Sequence, residues 1–452
     1  MPERIRLGAS YRKVYAASVI SNLGDGVAQI GYPWLASAVT RNPLLVASVV
    51  VAQRLPWLLF TLPAGVITDR VDRRKAMIVM DLLRATLTLG VAGGVLLLGD
   101  GLPDPDSLTS VEGTRTGLYV VVLLASLLLG CAEVLRDNSA QTILPAIVPA
   151  EHLERANGRM WSAEQVANEF IGPPLGSFLL ASAFVLPFLL DAGTFAVAGA
   201  LMALVAGEFR SKRAGGESDA EVAPTSWTTD LKEGVRWLWQ HGLLRTLAIT
   251  LGGLNAVGAM QIGTMVLFAQ EVLRTSPLEF SVLTMGGALG AVAGGYLAAP
   301  IRERLGSGPS LWLTLGIGVV VPLVIGLTST WPVVVVAFAA FGITSVIWNV
   351  ITVSLRQTII PDHLLGRVNS VYRFFGWGMM PIGTALGGLV VVIAEPLWGR
   401  ATALRAPWLV SAAIGLAIAA YAIPRLTTER MDAARAAALA EDPNLVETET
   451  GA

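Results

Sequence analysis

The stretch GVITDRVDRRKA, Gly65–Ala76, sets six charged side chains within seven residues, between two of the most apolar runs in the chain. Charge of that density stays in water, whereas an apolar run of about 20 residues is long enough to cross a bilayer as a helix. The pattern reads as a tight hairpin at a membrane surface joining two spanning helices. Composition agrees: hydrophobic residues make up 54% of the 452 and charged residues 14%, where a soluble domain carries about a quarter charged. Mean hydropathy is +0.62. A formal net charge of -1 gives no basic character to suggest nucleic acid. The lone Cys131 excludes an intramolecular disulfide, and His152, His241 and His363 offer no metal-ligand spacing. The sequence implies neither metal nor cofactor.

Scanning outward for apolar runs between charged punctuation gives twelve spans in two sets of six. The first set covers approximately 13–38, 44–67, 76–98, 117–136, 158–181 and 184–206. The second covers approximately 245–272, 279–300, 309–329, 332–354, 368–394 and 406–424. The expected fold is an all-α integral membrane protein with twelve transmembrane helices in two pseudo-symmetric six-helix bundles. Its parts are an N-terminal bundle (1–206), a cytoplasmic linker (207–243), a C-terminal bundle (244–425) and a cytoplasmic tail (426–452). The linker is polar and rich in small residues up to Ser226, after which TTDLKEGVRWLWQHG interleaves Trp and Leu with charge, as an interfacial amphipathic helix does.

Of the 32 Lys and Arg residues, 25 fall on one face of this arrangement. The positive-inside rule makes that face the cytoplasm and puts both termini there. A signal peptide is the competing reading of residues 1–24, but the apolar pattern continues to Thr40 without a small-x-small cleavage site. The halves echo each other. PAEHLERAN (Pro149–Asn157) and PDHLLGRVN (Pro361–Asn369) share Pro, Leu, Arg and Asn at an offset of 212, and Gly176 pairs with Gly388 at the same offset. A parallel repeat of six spans is the mark of a transporter built from two rocking halves.

GVITDRVDRRKA resembles the helix 2 to 3 signature of the major facilitator superfamily: Gly65, Asp69, Arg70, Arg73 and Arg74 match it, and Asp72 stands where the family usually has glycine. IGPPLGS (Ile171–Ser177) resembles the end of the helix 5 signature of that superfamily's exporters, without the glycines expected upstream. LPAIVPAEHLERANG, FLLDAGTFAVAG and EGVRWLWQHGLLR are similar to the bacterial branch of macrolide-type drug efflux and enterobactin exporters, a likeness spanning approximately 10–425. The resemblance implies a central cavity lined by helices 1, 4, 7 and 10.

The bland account of the hairpin is topological anchoring by Arg70, Arg73, Arg74 and Lys75. It leaves the aspartates unexplained. Asp69 is expected against the N-terminal end of helix 11 at Gly366–Ser370, and Arg73 or Arg74 against Glu133 or Asp137. Together they would form a cytoplasmic gate, held when the site opens outward and broken when it opens inward.

In helix 1, Asn22, Asp25 and Gln29 share one face, with Asp25 about 18 Å in from Lys13. Folding helix 2 back about residues 40–43 brings Arg54 to a similar depth, so an Asp25–Arg54 ion pair is expected, either for proton coupling or as a static structural pair. Glu169 and Asp191 are further proton-coupling candidates, Asp191 preferentially serving helix packing. Asp81 and Arg84 are expected to pair locally at i, i+3. Ser345, Asn349 and Thr352 form a second polar stripe in helix 10, with Trp348 beside it, and Asn255 and Gln261 join from helix 7 as substrate-cavity candidates. Ordinary interhelical hydrogen bonding is the alternative for each. Gly172, Pro173, Pro174 and Gly176 mark a bend in helix 5, and Gly286, Gly290 and Gly294 mark close helix packing.

No Gly-Lys-Ser/Thr phosphate loop and no Ser/His/Asp constellation occurs, so neither ATP hydrolysis by that machinery nor enzymatic catalysis is indicated. The expected function is proton-coupled export of a hydrophobic or amphipathic organic compound across a bacterial cytoplasmic membrane, by a monomer in contact with lipid. Siderophore export, lysophospholipid flipping and a transporter-like receptor or scaffold are the alternatives.

Overall fold

The computed structural model of the chain describes residues 8–105, 108, 111–207, 209 and 227–441. The expected linker up to Ser226 lies almost wholly outside the described residues, as does the tail beyond Glu441. Among the described residues the chain is helical, with an isolated β-bridge between Thr40 and Thr114.

α1 (Ala9–Val39) is a single helix of 31 residues. α2 (Pro43–Leu59) starts where Asn42 Oδ1 accepts the N–H groups of Leu44 and Leu45, with Pro43 at a position whose N–H would have no partner in any case. Pro63 cannot donate to Leu59, and the helix breaks at Phe60 before α3 (Thr61–Arg70). α4 (Arg73–Leu98) and α5 (Thr116–Ile147) follow. α6 (Leu153–Gln165) passes into a π-helical stretch, Val166–Ile171, and continues as α7 (Gly172–Ser182). α8 (Leu186–Ala203) follows across a short turn.

Beyond the linker lie α9 (Trp227–Gln240), α10 (Gly242–Ile262), the short α11 (Met265–Glu271) and α12 (Pro277–Leu305). α13 (Ser307–Leu327), α14 (Trp331–Ile359), α15 (Asp362–Trp398), the single turn α16 (Arg400–Ala403), α17 (Ala406–Ala422) and α18 (Thr428–Glu441) complete the chain. Nine helical segments among the described residues are long and apolar enough to cross a membrane. Of the twelve expected spans, those three outside the nine are α1, the α2–α3 pair and the α6–α7 run. Outward-facing apolar side chains such as Leu97 and Val336 suit a lipid surround.

The chain forms two compact units, residues 1–216 with 263–285, and residues 217–262 with 286–452. Residues 263–285 therefore pack with the first unit, although the sequence places them in the second half. The division follows a helix break: helix 7, expected as one run over 245–272, stops at Ile262 and restarts as α11.

One apolar core of the first unit gathers Tyr11, Val14, Met77, Ile143 and Met202. In the second unit Leu247, Leu311, Ile347, Ile351 and Tyr372 form another. Gly286, Gly290 and Gly294 face α14 so closely that an added Cβ would overlap the backbone of Val335, Ala339 and Ile343, as the four-residue glycine spacing predicts. The amphipathic α9 docks on α15, with Gly234 against the Arg367 backbone and Glu233 paired to the Arg367 guanidinium at 2.5 Å.

Candidate functional site

The polar face of α1 meets a network of buried charge in the first unit. Asp25 pairs with Arg84 of α4, not with Arg54. Arg84 Nη1 also donates to Ser21 Oγ at 3.1 Å and lies 3.7 Å from Asp81, so the expected local pair exists as one branch of a larger network. The guanidinium carbon of Arg84 sits 3.8 Å from the ring centroid of Phe195. Asp81 in turn lies 3.4 Å from Arg136 of α5, whose Nη1 is 3.5 Å from Asp137. Asp81, Arg84 and Arg136 are all at most 2% exposed, whereas the Asp25 side chain keeps 29% of its surface open.

The expected Asp25–Arg54 pair fails because equal depth does not fix the facing direction. α1 lies mainly against α7 and α8 and touches α2 only lightly. Arg54 is exposed and has no hydrogen bond or ion pair among the described residues. It is within electrostatic reach of Glu133 and Glu169, both half-buried and likewise without such partners there. Asp191 is buried beside the network, within electrostatic reach of Asp25 and Arg84, and its Oδ1 accepts no hydrogen bond. Gly24 permits this approach, since a Cβ there would overlap Asp191 Oδ1 and Thr194 Oγ1.

The helix 5 candidates act through the crossing with α1. A Cβ on Gly172 would fall 2.5 Å from Gly26 Cα, and one on Gly176 would fall 2.7 Å from the Val27 carbonyl oxygen. The backbone change precedes the Gly172-Pro173-Pro174 run: the π stretch inserts its extra residue just before it. That stretch carries Asn168, whose Nδ2 donates to Asn22 Oδ1 at 2.9 Å and whose carbonyl accepts from Gln29 Nε2 at 3.5 Å. Asn22, Asp25 and Gln29 thus share a face, as expected, with Asn168 as a partner that the sequence did not single out.

The hairpin differs from its expected role. Arg73 Nη1 donates to the Thr142 carbonyl at 2.8 Å, and Arg74 Nη2 donates to that of Ala203 at 2.5 Å, with Met202 and Gly207 accepting further bonds. The two arginines satisfy main-chain carbonyls, Arg74 those at the end of α8, instead of pairing with Glu133 or Asp137, which belong to the charge network. Asp72 in the family's glycine position is the cap of α4: Oδ1 accepts the Lys75 N–H at 2.9 Å and Oδ2 that of Phe209 at 3.1 Å. Its φ of -69° needs no glycine. Arg70 is exposed. Gly65 and Asp69 lie in α3, and the surroundings of Gly65 and the side chain of Asp69 are outside what the structure describes.

In the second unit the expected stripe disperses. Trp348 is buried in the apolar core and Thr352 is 5% exposed, whereas Asn349 is open. Ser345, Asn349 and Thr352 each donate to a carbonyl four residues earlier in α14. Asn255 donates to the Gly376 carbonyl at 2.9 Å, joining α10 to α15. Gln261 is half-buried without a hydrogen bond among the described residues.

Residues 263–285 are tied into the first unit by contacts the sequence did not announce. Arg41 pairs with Glu271 and donates to Gln270 Oε1 at 2.6 Å, and Gln270 Nε2 donates to Ser37 Oγ at 2.9 Å. Ser177 Oγ donates to the Pro277 carbonyl at 2.8 Å, and the fully buried Trp34 meets Phe280 edge-on at 5.4 Å.

The chain matches the family model described as Major Facilitator Superfamily over residues 14–384. It is 26% identical to the multidrug efflux pump Tap of Mycolicibacterium fortuitum, over 91% of this chain and 94% of that one. It is 27% identical to the enterobactin exporter EntS of Escherichia coli, over 84% and 85%. Two solved structures share the fold: a bacterial homologue of the iron transporter ferroportin in an inward-facing state (TM-score 0.65, 16% identity, covering 92% of this chain and 100% of that one) and the nucleoside transporter NupG (0.63, 11%, 92% and 99%).

Proposed function

Because the chain belongs to the major facilitator superfamily, we propose that it is a twelve-helix secondary transporter of a bacterial cytoplasmic membrane, exporting a hydrophobic or amphipathic, drug-like compound in exchange for protons. The observation that carries this reading is the unequal charge of the network. Among the described residues, the five carboxyls of Asp25, Asp81, Glu133, Asp137 and Asp191 outnumber the cations near them, Arg84 and Arg136 in ion pairs and Arg54 within electrostatic reach of Glu133. With Asp81 and Asp191 buried, ionising every carboxyl would leave uncompensated buried charge, which costs several kcal/mol per ion. Protons held on part of the set relieve that cost, and a set that holds protons can also exchange them.

Asp25 is the exchanging member in this proposal, since it is the partly open end of the chain of pairs. A proton taken from outside weakens its hold on Arg84, which keeps Asp81, and the change biases the two access states by the difference in pair energy between them. Arg54 supplies positive charge next to Glu133 and Glu169 and so keeps those carboxyls from accumulating like-charge repulsion. Asn22, Gln29 and Asn168 are the candidate substrate-binding side chains of the first unit, and Asn255, Gln261 and Asn349 are those of the second. Asp25, on the same face of α1 as Asn22 and Gln29, favours compounds whose positive charge can take the place of its proton.

Export is supported by the two relatives, a multidrug efflux pump and an enterobactin exporter. Siderophore export draws on the second of them, but an anionic compound would gain no attraction from Asp25. Flipping of a lysophospholipid requires no proton exchange at Asp25. The test uses purified protein in liposomes with an internal pH dye and a panel of amphipathic cations, macrolides and siderophores. Substrate-dependent proton flux, lost in Asp25→Asn, is the expected result. Substrate movement without proton flux, unchanged in that variant, would leave a facilitator or flippase and make the Asp25–Arg84 pair structural.

A further inference from the structure

A groove of about 620 Å³ runs along the first unit between α1 and the run of α6 and the π stretch, and none of the charge-network side chains lines it. Tyr15 and Val19 form its α1 wall. On the other wall polarity is graded along one helix face. Arg155 and Arg159, four residues apart and therefore side by side, stand at one end, and Val166 and Ile171 lie towards the other. Neither arginine has a hydrogen bond or ion pair among the described residues, and both are exposed. Val166 and Ile171 are 47% and 51% exposed, so the apolar end is open as well.

Three features decide what fits. The rise from Arg159 to Ile171 is about 18 Å at helical spacing, close to the roughly 15 Å depth of one leaflet's hydrocarbon. The charge gradient follows the leaflet, because the arginines belong to the segment that the Lys and Arg distribution assigns to the cytoplasmic surface, and Trp161, 65% exposed, stands where interfacial aromatics sit. Gly158 lines the groove between the two arginines, yet a Cβ on it would meet nothing within 4 Å. A glycine inside a helix weakens it, and no neighbour here demands one. What the missing side chain preserves is space at the cationic end.

We propose that this groove binds one anionic phospholipid, its phosphate held between Arg155 and Arg159 and an acyl chain lying along Val166 and Ile171 against α1. Guanidinium groups suit phosphate through paired charge-assisted hydrogen bonds, and basic pockets between spanning helices on the cytoplasmic side recognise such headgroups. Since Val166 and Ile171 bound the π stretch that carries Asn168 to Asn22, the lipid rests on the element that shapes the α1 crossing.

The test is lipid retention by the detergent-solubilised full chain, followed by native mass spectrometry with added dioleoylphosphatidylglycerol, dioleoylphosphatidylcholine or inorganic phosphate. Wild type is expected to hold one phosphatidylglycerol in preference to phosphatidylcholine. Arg155→Gln with Arg159→Gln is expected to bind it about thirtyfold more weakly, the loss that two interfacial arginines represent for an anionic lipid. Gly158→Phe, whose Cβ is unobstructed, fills the groove with both arginines in place and is expected to lose the lipid too. Unchanged binding in the double variant overturns the proposal. So does full binding in Gly158→Phe, which would mean charge on an open surface, or displacement by inorganic phosphate, which would mean an anion site without an acyl chain. If the double variant does not elute as folded protein, Gly158→Phe alone decides.

Discussion

Arg84 holds the first unit's charge network together because its forked guanidinium serves Asp25, Asp81 and Ser21 at once while its face covers Phe195. Arg84→Gln removes the cation, strands Asp25 and leaves Asp81 with Arg136 alone, and breaking a buried pair in this way typically costs about 3 to 5 kcal/mol. Arg84→Lys keeps the charge but not the fork, so its loss is expected to be smaller. Asp25→Asn added to Arg84→Gln is expected to cost less than the sum of the single changes, with a coupling of at least about 1 kcal/mol. Unfolding of detergent-solubilised protein by added dodecyl sulfate measures all four corners of that cycle, and additivity would mean that the pair contributes nothing. The sequence supplied Asp25 by its depth in an apolar helix. It did not supply Arg84 as the partner, because the local i, i+3 neighbour Asp81 already accounted for that arginine.

Helix 5 is where an element departs most from its expected form. Its Gly-Pro-Pro run is legible as a bend, since proline withdraws a donor, but the π stretch before it depends on what lies across the crossing, and Asn22 is 146 residues from its partner Asn168 in sequence. Gly26→Val and Gly172→Val are each expected to push α1 and helix 5 apart, since an added Cβ meets the opposing backbone at 2.8 Å and 2.5 Å respectively. The cost is about 1 to 3 kcal/mol by the overpacking rule, with loss of transport. Gly193→Ala in α8 has nothing within 4 Å of its Cβ and is the control, expected to hold or raise stability by about 0.5 to 1 kcal/mol. Equal stability of all three in the same dodecyl sulfate titration would remove the crossing as a constraint. Residues 263–285 pose a second question at this scale. Arg41→Ala takes away the ion pair to Glu271 and the bond to Gln270, so a spin label on Arg274 is expected to become more mobile relative to wild type. The sequence offered no warning of this contact, because a charged residue in a loop between two spans is ordinarily solvated, and only the break after Ile262 frees α11 to reach it.

For the whole molecule, membrane character and helical class were legible because they follow from composition and run length, which need no knowledge of contacts. The grouping of residues 263–285 was not, because a six-plus-six count assigns segments by chain order while packing assigns them by touch. Orientation rests on a third kind of signal, the placement of 25 of the 32 Lys and Arg residues on one face. Many of those side chains have structural tasks as well: Arg74 satisfies carbonyls at the end of α8 and Arg367 pairs with Glu233. Such tasks would hold for either orientation, so only the asymmetry of the count selects one. Replacing the single cysteine by Cys131→Ser gives a background in which one new thiol reports sidedness. Asp100→Cys lies in the loop after α4, on the face poor in Lys and Arg, and is expected to react with a membrane-impermeant maleimide in intact cells. Gly242→Cys, at the start of α10, has open space around its Cβ and is expected to react only after permeabilisation. The inverse pattern would turn the molecule over, put Arg155 and Arg159 in the outer leaflet and reverse the side from which Asp25 takes its proton. Export powered by an inward proton gradient requires the first pattern.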